Sequence, residues 1–240
     1  MRLATWNCRQ GIDGKRHALQ LLGADVLVVP ECSSEPTLAG ELDVSFLWRG
    51  DYAPKGLGVI AFNGWTVEAL AAPAELPWVL PARVRTPGGD HAFDLLAVWA
   101  VARRDGRPGY AGQITRVLDE WAQVIAAGQT IVAGDFNCSL QGPSGSAHAR
   151  NLARLQELGM RSGYHAHSGQ EHGAETAMTL RWVAPGRLPR GYHCDYVVLP
   201  ESLLSNVTAV RIGSMEEWVD SRLSDHCPVI VDLAVGPPPV

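Results

Sequence analysis

Hydrophobic positions along this chain fall into two kinds of pattern, one typical of buried strands and one typical of helices. The clearest helix is predicted over residues 113–127, where apolar side chains recur every three or four positions until Gly128. Shorter helices are predicted over 17–22 and 147–158, each followed by a glycine. Apolar, β-branched runs predict strands over 3–7, 25–31, 45–48, 57–62, 65–70, 82–85, 93–101, 131–133, 177–182, 193–199, 207–212 and 228–233. This alternation indicates an α/β or α+β protein.

Polar residues stand near the ends of five of these strands. Asn7 closes the first strand, Glu31 follows the second, and Asp195 lies at the start of a later one. The tetrad Gly134-Asp135-Phe136-Asn137 follows one apolar run, and Ser224-Asp225-His226-Cys227 precedes another. Any one of them is explained equally well by a turn in which the side chain bonds its own backbone. Their accumulation predicts a functional site at the strand ends.

In their order along the chain these motifs resemble the endonuclease/exonuclease/phosphatase superfamily. The residues that carry the resemblance are Thr5-Trp6-Asn7, Pro30-Glu31, Gly134-Asp135-Phe136-Asn137, Asp195-Tyr196 and Ser224-Asp225-His226. The superfamily includes pancreatic deoxyribonuclease, abasic-site endonucleases of the exonuclease III type, inositol polyphosphate 5-phosphatases and neutral sphingomyelinases. The match spans nearly the whole chain. It implies a four-layer α/β/β/α sandwich of two mixed β-sheets flanked by helices, with the site at one edge.

The resemblance also implies a divalent metal. A phosphodiester is anionic and shields its phosphorus, so hydrolysis needs charge neutralisation, an oriented water and help for the departing oxygen. Oxygen donors without a cysteine ligand pattern favour Mg²⁺, with Mn²⁺ as an alternative. Glu31 is the best metal ligand, and Asn7 and Asp225 are further candidates.

The catalytic roles follow from the same resemblance. Asp135 is the candidate general base that takes a proton from water, and Asn137 orients water or phosphate. His226 would face the phosphate opposite the metal, with Asp195 fixing its tautomer and favouring its protonated form. Asn7 would donate a hydrogen bond to phosphate if it does not hold the metal.

Two departures from the family pattern change the expectations. The histidine that many members place after the central strand is missing, and Trp99 occupies this region. Abasic-site endonucleases use a tyrosine further along, for which Tyr110 is a candidate with an insecure alignment. Arg9 replaces a carboxylate that often follows the first motif asparagine, and it would contact phosphate or remain solvated.

The remaining substrate-binding candidates are Lys55, Trp99, Asn151 and His172. Lys55 precedes a strand and would reach phosphate, although a loop lysine is commonly only solvated. Asn151 lies one helix beyond the central tetrad, where a helix-surface position is the alternative. The histidine-containing segment around His172 is rich in Gly, Ser and Glu and would be a substrate-facing loop. The spacing of its histidines does not match a metal-ligand signature.

Length and composition agree with one intracellular domain. The 240 residues suffice for a single domain over 1–235, followed by a disordered Pro-rich tail at 236–240. No apolar stretch reaches the roughly 20 residues that cross a bilayer. The cysteines are odd in number, form no Cys-x-x-Cys pair and each adjoin a motif residue, which predicts buried free thiols: Cys8, Cys32, Cys138, Cys194 and Cys227. We expect a cytoplasmic monomer without membrane contact.

The charge balance bears on the substrate. Twenty basic against 25 acidic residues give a net charge of −5, whereas duplex-binding proteins usually present a basic footprint. The charge therefore does not favour extensive contact with a duplex. The family resemblance implies a metal-dependent phosphodiester hydrolase, foremost a nuclease acting on DNA or RNA. The alternative is a phosphodiesterase or phosphatase for a small or lipid-linked phosphate. A third hypothesis is a binding protein that kept the fold without catalysis, which the combination of a base and a metal carboxylate opposes.

Overall fold

Two mixed β-sheets form the centre of the molecule. The computed structural model describes residues 1–37, 40, 43–102 and 106–234. Within them, the first sheet has six strands: β1 (Arg2–Thr5), β2 (Val26–Cys32), β3 (Ser45–Arg49), β4 (Gly56–Ala61), β13 (Val207–Ile212) and β14 (Val229–Leu233). The second sheet has six: β5 (Thr66–Ala69), β6 (Val79–Arg85), β7 (Ala92–Trp99), β8 (Thr130–Asp135), β9 (Met160–Ser162) and β12 (Asp195–Pro200). The strand orders are β13-β14-β1-β2-β4-β3 and β5-β6-β7-β8-β12-β9. A separate hairpin joins β10 (Leu180–Trp182) and β11 (Arg190–Tyr192).

Helices cover the outer faces of both sheets. They are α1 (Arg16–Leu22), α2 (Tyr110–Glu120), α3 (Ala122–Ala126), α4 (Gly145–Glu157) and α5 (Gly163–Ser168), with shorter helical turns at Ile12–Lys15, Glu201–Asn206 and Glu216–Asp220. The helix predicted over 113–127 is two helices, because the chain breaks at Trp121, whose φ of −103° and ψ of 15° are not helical. Neither β9 nor α5 was predicted, since each is short and has no clear hydrophobic period.

Three hydrophobic cores separate the layers. Strand β2 is apolar from Val26 to Pro30 because both of its faces are buried: Val28 packs between the two sheets, whereas its neighbour Leu27 packs against α1. On the other side, Leu96 and Val98 of β7 face α2, while Leu95 and Ala97 face the first sheet. The order of layers is helix, sheet, sheet, helix. The predicted four-layer sandwich of two mixed sheets is confirmed.

The central tetrad begins with a glycine that no other residue replaces without strain. Gly134 has a φ of 145°, and a Cβ there would lie 1.8 Å from the carbonyl oxygen of Val98. This close approach lets β8 lie parallel to β7, with Trp99 opposite Asp135. On its other side β8 is antiparallel to β12, which sets Asp195 opposite Asp135. The motif residues are therefore brought to one edge by strand register.

The other sequence expectations have mixed outcomes. All five cysteines are free and buried, as predicted. The predicted Pro-rich tail at 236–240 lies outside the described residues, and so does residue 235. In the described part of the chain, the helices are all too short or too polar to traverse a lipid bilayer.

Candidate active site

Asp135 is the centre of the site and is fully buried at the end of β8. Its Oδ1 accepts a hydrogen bond from the backbone N–H of Asn137 at 2.8 Å. Its Oδ2 accepts from Asn137 Nδ2 at 2.9 Å and from Asn7 Nδ2 at 3.0 Å. Asn137 takes a left-handed φ of 49°, which asparagine tolerates well, and also donates to the carbonyl of Ala100. Both amides thereby fix the orientation of one carboxylate.

His226 lies between two buried aspartates. Its Nδ1 is 2.9 Å from Oδ2 of Asp195, and its Nε2 is 3.9 Å from Oδ2 of Asp135. The backbone is held from both sides, because its N–H donates to Ser224 Oγ and its carbonyl accepts from Trp6 Nε1. With only 4% of the residue exposed, the imidazole has a single orientation set by this network.

The protonation of this group follows from its burial and charges. Burial alone would lower the pKa of His226, but the carboxylates of Asp195 and Asp135 outweigh it and raise the pKa to about 10. Burial and the charge of Asp195 raise the pKa of Asp135 to about 7, although the His226 charge and the amides of Asn7 and Asn137 oppose the shift. At neutral pH His226 is therefore an imidazolium. A carboxylate with a pKa near neutrality suits a general base.

Thr179 supports this arrangement and was not predicted. Its Oγ1 accepts the backbone N–H groups of Cys194 and Asp195 at 3.0 and 3.1 Å, which fixes the start of β12. It lies just before the β10–β11 hairpin, far from Asp195 in the sequence. No motif in the sequence points to it, because its role depends on a hydrogen bond that only the folded chain makes.

The sequence predicted Glu31 just beyond the end of β2. In the structure the residue lies within β2, at an irregularity of the strand pairing. The register between β2 and β4 shifts between Pro30 and Cys32, and Glu31 takes a φ of 63°. Such a bulge re-aims a side chain. The carboxylate lies 3.1 Å from Lys55 Nζ and 3.4 Å from Asn7 Nδ2. Glu31 is therefore within reach of the group around Asp135.

Arg9 and Asp225 form the outer side of the site. Arg9 Nε is 3.8 Å from Asp225 Oδ2, and the Arg9 side chain is 64% exposed. The backbone N–H of Arg9 donates to Asn7 Oδ1 at 2.9 Å. Asn7 is fixed from a second direction, since its carbonyl accepts from Ser224 Oγ at 2.7 Å.

The donor set fits a divalent cation. Glu31 and Asp225 are partly exposed carboxylates whose partners are Lys55 and Arg9, and a metal can replace those cations. Deeper in the site, atoms of Asp135, Cys194, Asp195 and His226 lie within 4.8 Å of one another. Oδ1 of Asp195 is buried there and has no hydrogen-bond partner among the described residues. Carboxylate and amide oxygens predominate, as Mg²⁺ and Mn²⁺ prefer.

A cavity of about 340 Å³ adjoins the Glu31 side of the site. Its walls combine aromatic rings and cationic side chains, namely Arg49, Tyr52, Lys55, Trp78, Trp99 and Arg107. Lys55 Nζ lies 5.4 Å from the centre of the Trp99 ring. Such a wall can contact both a planar ring and a phosphate.

Tyr110 lies at the start of α2 and is half-buried. Burial raises its pKa, and the nearby charges of Asp135 and Glu31 raise it further. The phenol therefore keeps its proton at neutral pH. The influence of these two carboxylates on its pKa gives Tyr110 an electrostatic link to the site that the sequence alone left insecure.

Two predicted substrate contacts lie elsewhere. Asn151 is 3% exposed, and its amide bonds Thr115 Oγ1 and the carbonyl of Ala111 between α2 and α4. It therefore has no free group for a substrate. His172 stacks on His165, with ring centres 3.6 Å apart, beside a different cavity. A helix-length spacing and a polar segment were weak signals for these two residues.

Comparisons with known proteins identify the fold. No protein-family model and no curated protein matches the chain. Among solved structures, a 3′ phosphatase, NExo, from Neisseria bound to a product DNA hairpin is 18% identical, with a TM-score of 0.71 over 98% of this chain and 99% of that one. An AP endonuclease from Archaeoglobus fulgidus is 13% identical, with a TM-score of 0.71 over 98% and 100% of the two chains. Truncated TDP2 from Caenorhabditis elegans is 14% identical, with a TM-score of 0.68 over 96% of each chain. Together with its two-sheet sandwich, these likenesses show that the chain has the endonuclease/exonuclease/phosphatase fold.

Proposed function

We propose that this protein is a divalent-metal-dependent hydrolase that cleaves phosphodiester bonds in DNA or RNA. The observation that carries the proposal is the contact of His226 with Asp195 on one side and its approach to Asp135 on the other, 2.9 and 3.9 Å respectively. A buried imidazolium beside a carboxylate of raised pKa provides both an electrostatic contact for phosphate and a base for water. A pure binding protein has no need of this pair.

Glu31, Asn7 and Asp225 are the proposed metal ligands. Glu31 and Asp225 are the partly exposed carboxylates of the site, each facing a lysine or arginine. A bound Mg²⁺ or Mn²⁺ would neutralise phosphate charge and polarise the scissile bond. Lys55 and Arg9 are then released from their carboxylates and can contact the phosphate themselves.

Asp135 is the proposed general base. Its carboxylate takes the proton of the attacking water, while Asn137 and Asn7 hold the carboxylate through their amides. His226 Nε2 donates to a non-bridging phosphate oxygen and stabilises the negative charge that grows there. Asp195 keeps the imidazole protonated and in place through Nδ1. The hydrogen bonds that hold these side chains support the proposed roles.

Tyr110 is the proposed acid for the departing oxygen. Trp99 has no proton on an oxygen or imidazole to give, although it lies opposite Asp135 in the sheet. Tyr110 lies near the same carboxylates and retains its phenolic proton because its pKa is raised. The proposed acid therefore resembles the tyrosine of abasic-site endonucleases more than the histidine of many other superfamily members.

The substrate proposal rests on the cavity next to Glu31. Lys55 and Trp99 line it together with two arginines, Arg49 and Arg107, so that a base or sugar would contact the aromatic wall while the phosphate reaches the metal. The net charge of −5 favours contact with a strand end or a short segment over a long duplex. The likeness to a 3′ phosphatase with a DNA hairpin product supports a second candidate, removal of phosphate from a 3′ end.

One experiment tests both candidates. The purified chain is incubated with supercoiled plasmid and with a DNA hairpin that ends in a 3′-phosphate, in Mg²⁺ or in EDTA. We expect Mg²⁺-dependent nicking or phosphate release that Asp135→Asn lowers by about 10³-fold, because a general base typically contributes 10²–10⁴. The matched control Asp119→Asn removes an exposed carboxylate on α2 and should retain activity. Activity that persists in EDTA, or equally in Asp135→Asn, contradicts the proposal.

A further inference from the structure

A second group of histidines lies apart from Asp135 and His226, on the other side of Tyr196. His165 of α5, His172 and Glu175 each place a ligand-type atom within 4.8 Å of the other two. His165 Nε2 is 3.1 Å from Glu175 Oε1, and His165 Nδ1 is 2.8 Å from Ser162 Oγ. The proposed hydrolysis uses none of these groups.

Hydrogen bonding alone does not satisfy this cluster. His172 Nδ1 is buried and has no hydrogen-bond partner among the described residues. The same holds, within that part of the chain, for Nε2 of His193, which is 1% exposed and whose ring centre is 5.3 Å from that of His165. A buried polar atom left unpaired destabilises the fold, because it has lost its hydration without gaining a hydrogen bond. A pairing of His165 with Glu175 accounts for two groups but not for the stacked imidazole of His172.

We propose that His165, His172 and Glu175 bind a transition-metal ion, for which Zn²⁺ has the best-matched chemistry. Two imidazoles and one carboxylate form a donor set that zinc takes in proteins, whereas Mg²⁺ prefers oxygen alone. Ligands about 2.0–2.2 Å from zinc lie roughly 3.4 Å apart, so zinc binding would require the His172 ring to leave its stacked position on His165. Ser162 Oγ holds the far nitrogen of His165, as partners of metal-bound histidines commonly do.

A cavity of about 550 Å³, lined by His165 and His172, gives the ion an access path.

The proposed ion would stabilise the active site from behind. Tyr196 donates its hydroxyl hydrogen to the carbonyl of His193 at 3.0 Å, and its ring centre is 5.0 Å from that of Phe136 in the central tetrad. The metal would connect α5 and the segment around Glu175 to this packing, directly behind Asp195. This role is independent of the proposed hydrolysis, because it concerns stability and metal content rather than turnover.

Metal content tests the proposal in the full chain. The protein is stripped with EDTA, dialysed against Zn²⁺ in excess Mg²⁺, and its zinc is measured by mass spectrometry. We expect one zinc per chain, retained in the double variant Glu31→Gln/Asp135→Asn, whose proposed catalytic metal site is disabled. His172→Gln should weaken zinc binding by about 100-fold or more, as loss of one of three ligands exceeds the 10–100-fold effect of an outer partner.

His167→Gln is the matched control, because this histidine of α5 is exposed. It should retain zinc. Visible absorption of the Co²⁺-substituted wild-type chain checks the ligand set without any variant, since tetrahedral nitrogen and oxygen ligation gives intense bands and octahedral ligation weak ones. Absence of zinc, its loss only in Glu31→Gln/Asp135→Asn, its retention in His172→Gln, or an octahedral cobalt spectrum would each overturn the proposal.

Discussion

Nδ1 of His226 lies 2.9 Å from Oδ2 of Asp195, and the aspartate is fully buried. The two residues come from different sheets, β12 in one and the segment before β14 in the other. Their contact therefore joins the two halves of the sandwich at the edge where Asp135 lies. It also sets the charge of the imidazole.

Asp195→Asn should lower kcat and move the basic limb of the pH profile. The Asp195 carboxylate is the largest contribution that raises the pKa of His226, so without it the imidazolium loses its proton at lower pH. We expect kcat to fall about 10²–10³-fold, the usual cost of losing one electrostatic contact to the transition state, and activity to decline at a lower pH than in the wild type. An unchanged basic limb, measured with a soluble phosphodiester, would contradict the role of Asp195. Asp119→Asn serves again as the control.

The effect of Tyr110→Phe on the cleavage rate should depend on the leaving group of the substrate. Removal of the phenolic proton is expected to slow cleavage of nucleotide esters by about 10²-fold, the lower end for a general acid. A p-nitrophenyl phosphodiester, whose leaving group needs no proton, should be cleaved at nearly the wild-type rate. Equal losses on the two substrates would indicate a positioning role instead. Trp99→His in the Tyr110→Phe background then tests whether an imidazole opposite Asp135 restores cleavage.

Lys55→Met should tighten metal binding. The Lys55 ammonium lies 3.1 Å from Glu31 Oε2 and competes with a cation for this carboxylate. Because both side chains are partly exposed, the pair contributes only about 0.5–1 kcal/mol, which corresponds to a roughly 2- to 5-fold lower half-saturating Mg²⁺ concentration. The KM for substrate should rise at the same time, since a phosphate contact is lost. A higher Mg²⁺ requirement would show that Lys55 does not oppose the metal.

Gly134→Ala should destabilise the fold strongly. The new Cβ would lie 1.8 Å from the Val98 carbonyl oxygen in a backbone with a φ of 145°, and separating β7 from β8 should cost about 3 kcal/mol or more. Gly159→Ala is the matched control, because its φ is 72° and a Cβ added there would meet no atom within 4 Å, and it should cost about 1 kcal/mol. Urea unfolding followed by tryptophan fluorescence compares the two. Similar midpoints would show that β7 and β8 can separate easily.

His148→Gln should reduce the decrease in the free energy of unfolding that occurs as the pH falls. Burial lowers the pKa of His148 to about 4, so between the ordinary pKa of about 6.5 and 4 the unfolded chain binds a proton that the folded chain does not. Stability therefore falls as the pH drops through this window, by up to about 3 kcal/mol from this group. The His148→Gln variant cannot bind this proton. The difference in the free energy of unfolding between the wild type and the variant should therefore shrink toward pH 4. The exposed His91→Gln should follow the wild type.

Much of the fold could be predicted because buried strands have a strong local signature. The run over residues 207–212 matches β13 at both ends, and most other strands are displaced by only a few residues. The break at Trp121 could not be predicted, since apolar spacing continues through it. The short helix α5 was missed because its sequence has no hydrophobic period that distinguishes it from a loop.

Some residues of the candidate site could likewise be predicted from the sequence, and others could not. Asn7, Asp135 and His226 stand in short motifs whose order is recognisable, and the structure brings them together. Thr179 and the cluster of His165 and Glu175 depend on contacts between residues 10 to 16 positions apart, and these spacings match no motif in the sequence. Asn151 was predicted from a helix-length gap alone, and the gap does not specify which face of α4 the amide occupies.

The pairing of β14 with β1 has a consequence during synthesis. A nascent chain on the ribosome already contains Asn7, Glu31 and Asp135 well before it contains His226, and β1 has only β2 as a neighbour until β14 follows. The imidazolium that we assign to phosphate contact is thus added after those three residues. The proposed activity therefore begins only after β14, the last strand of the first sheet, has docked against β1.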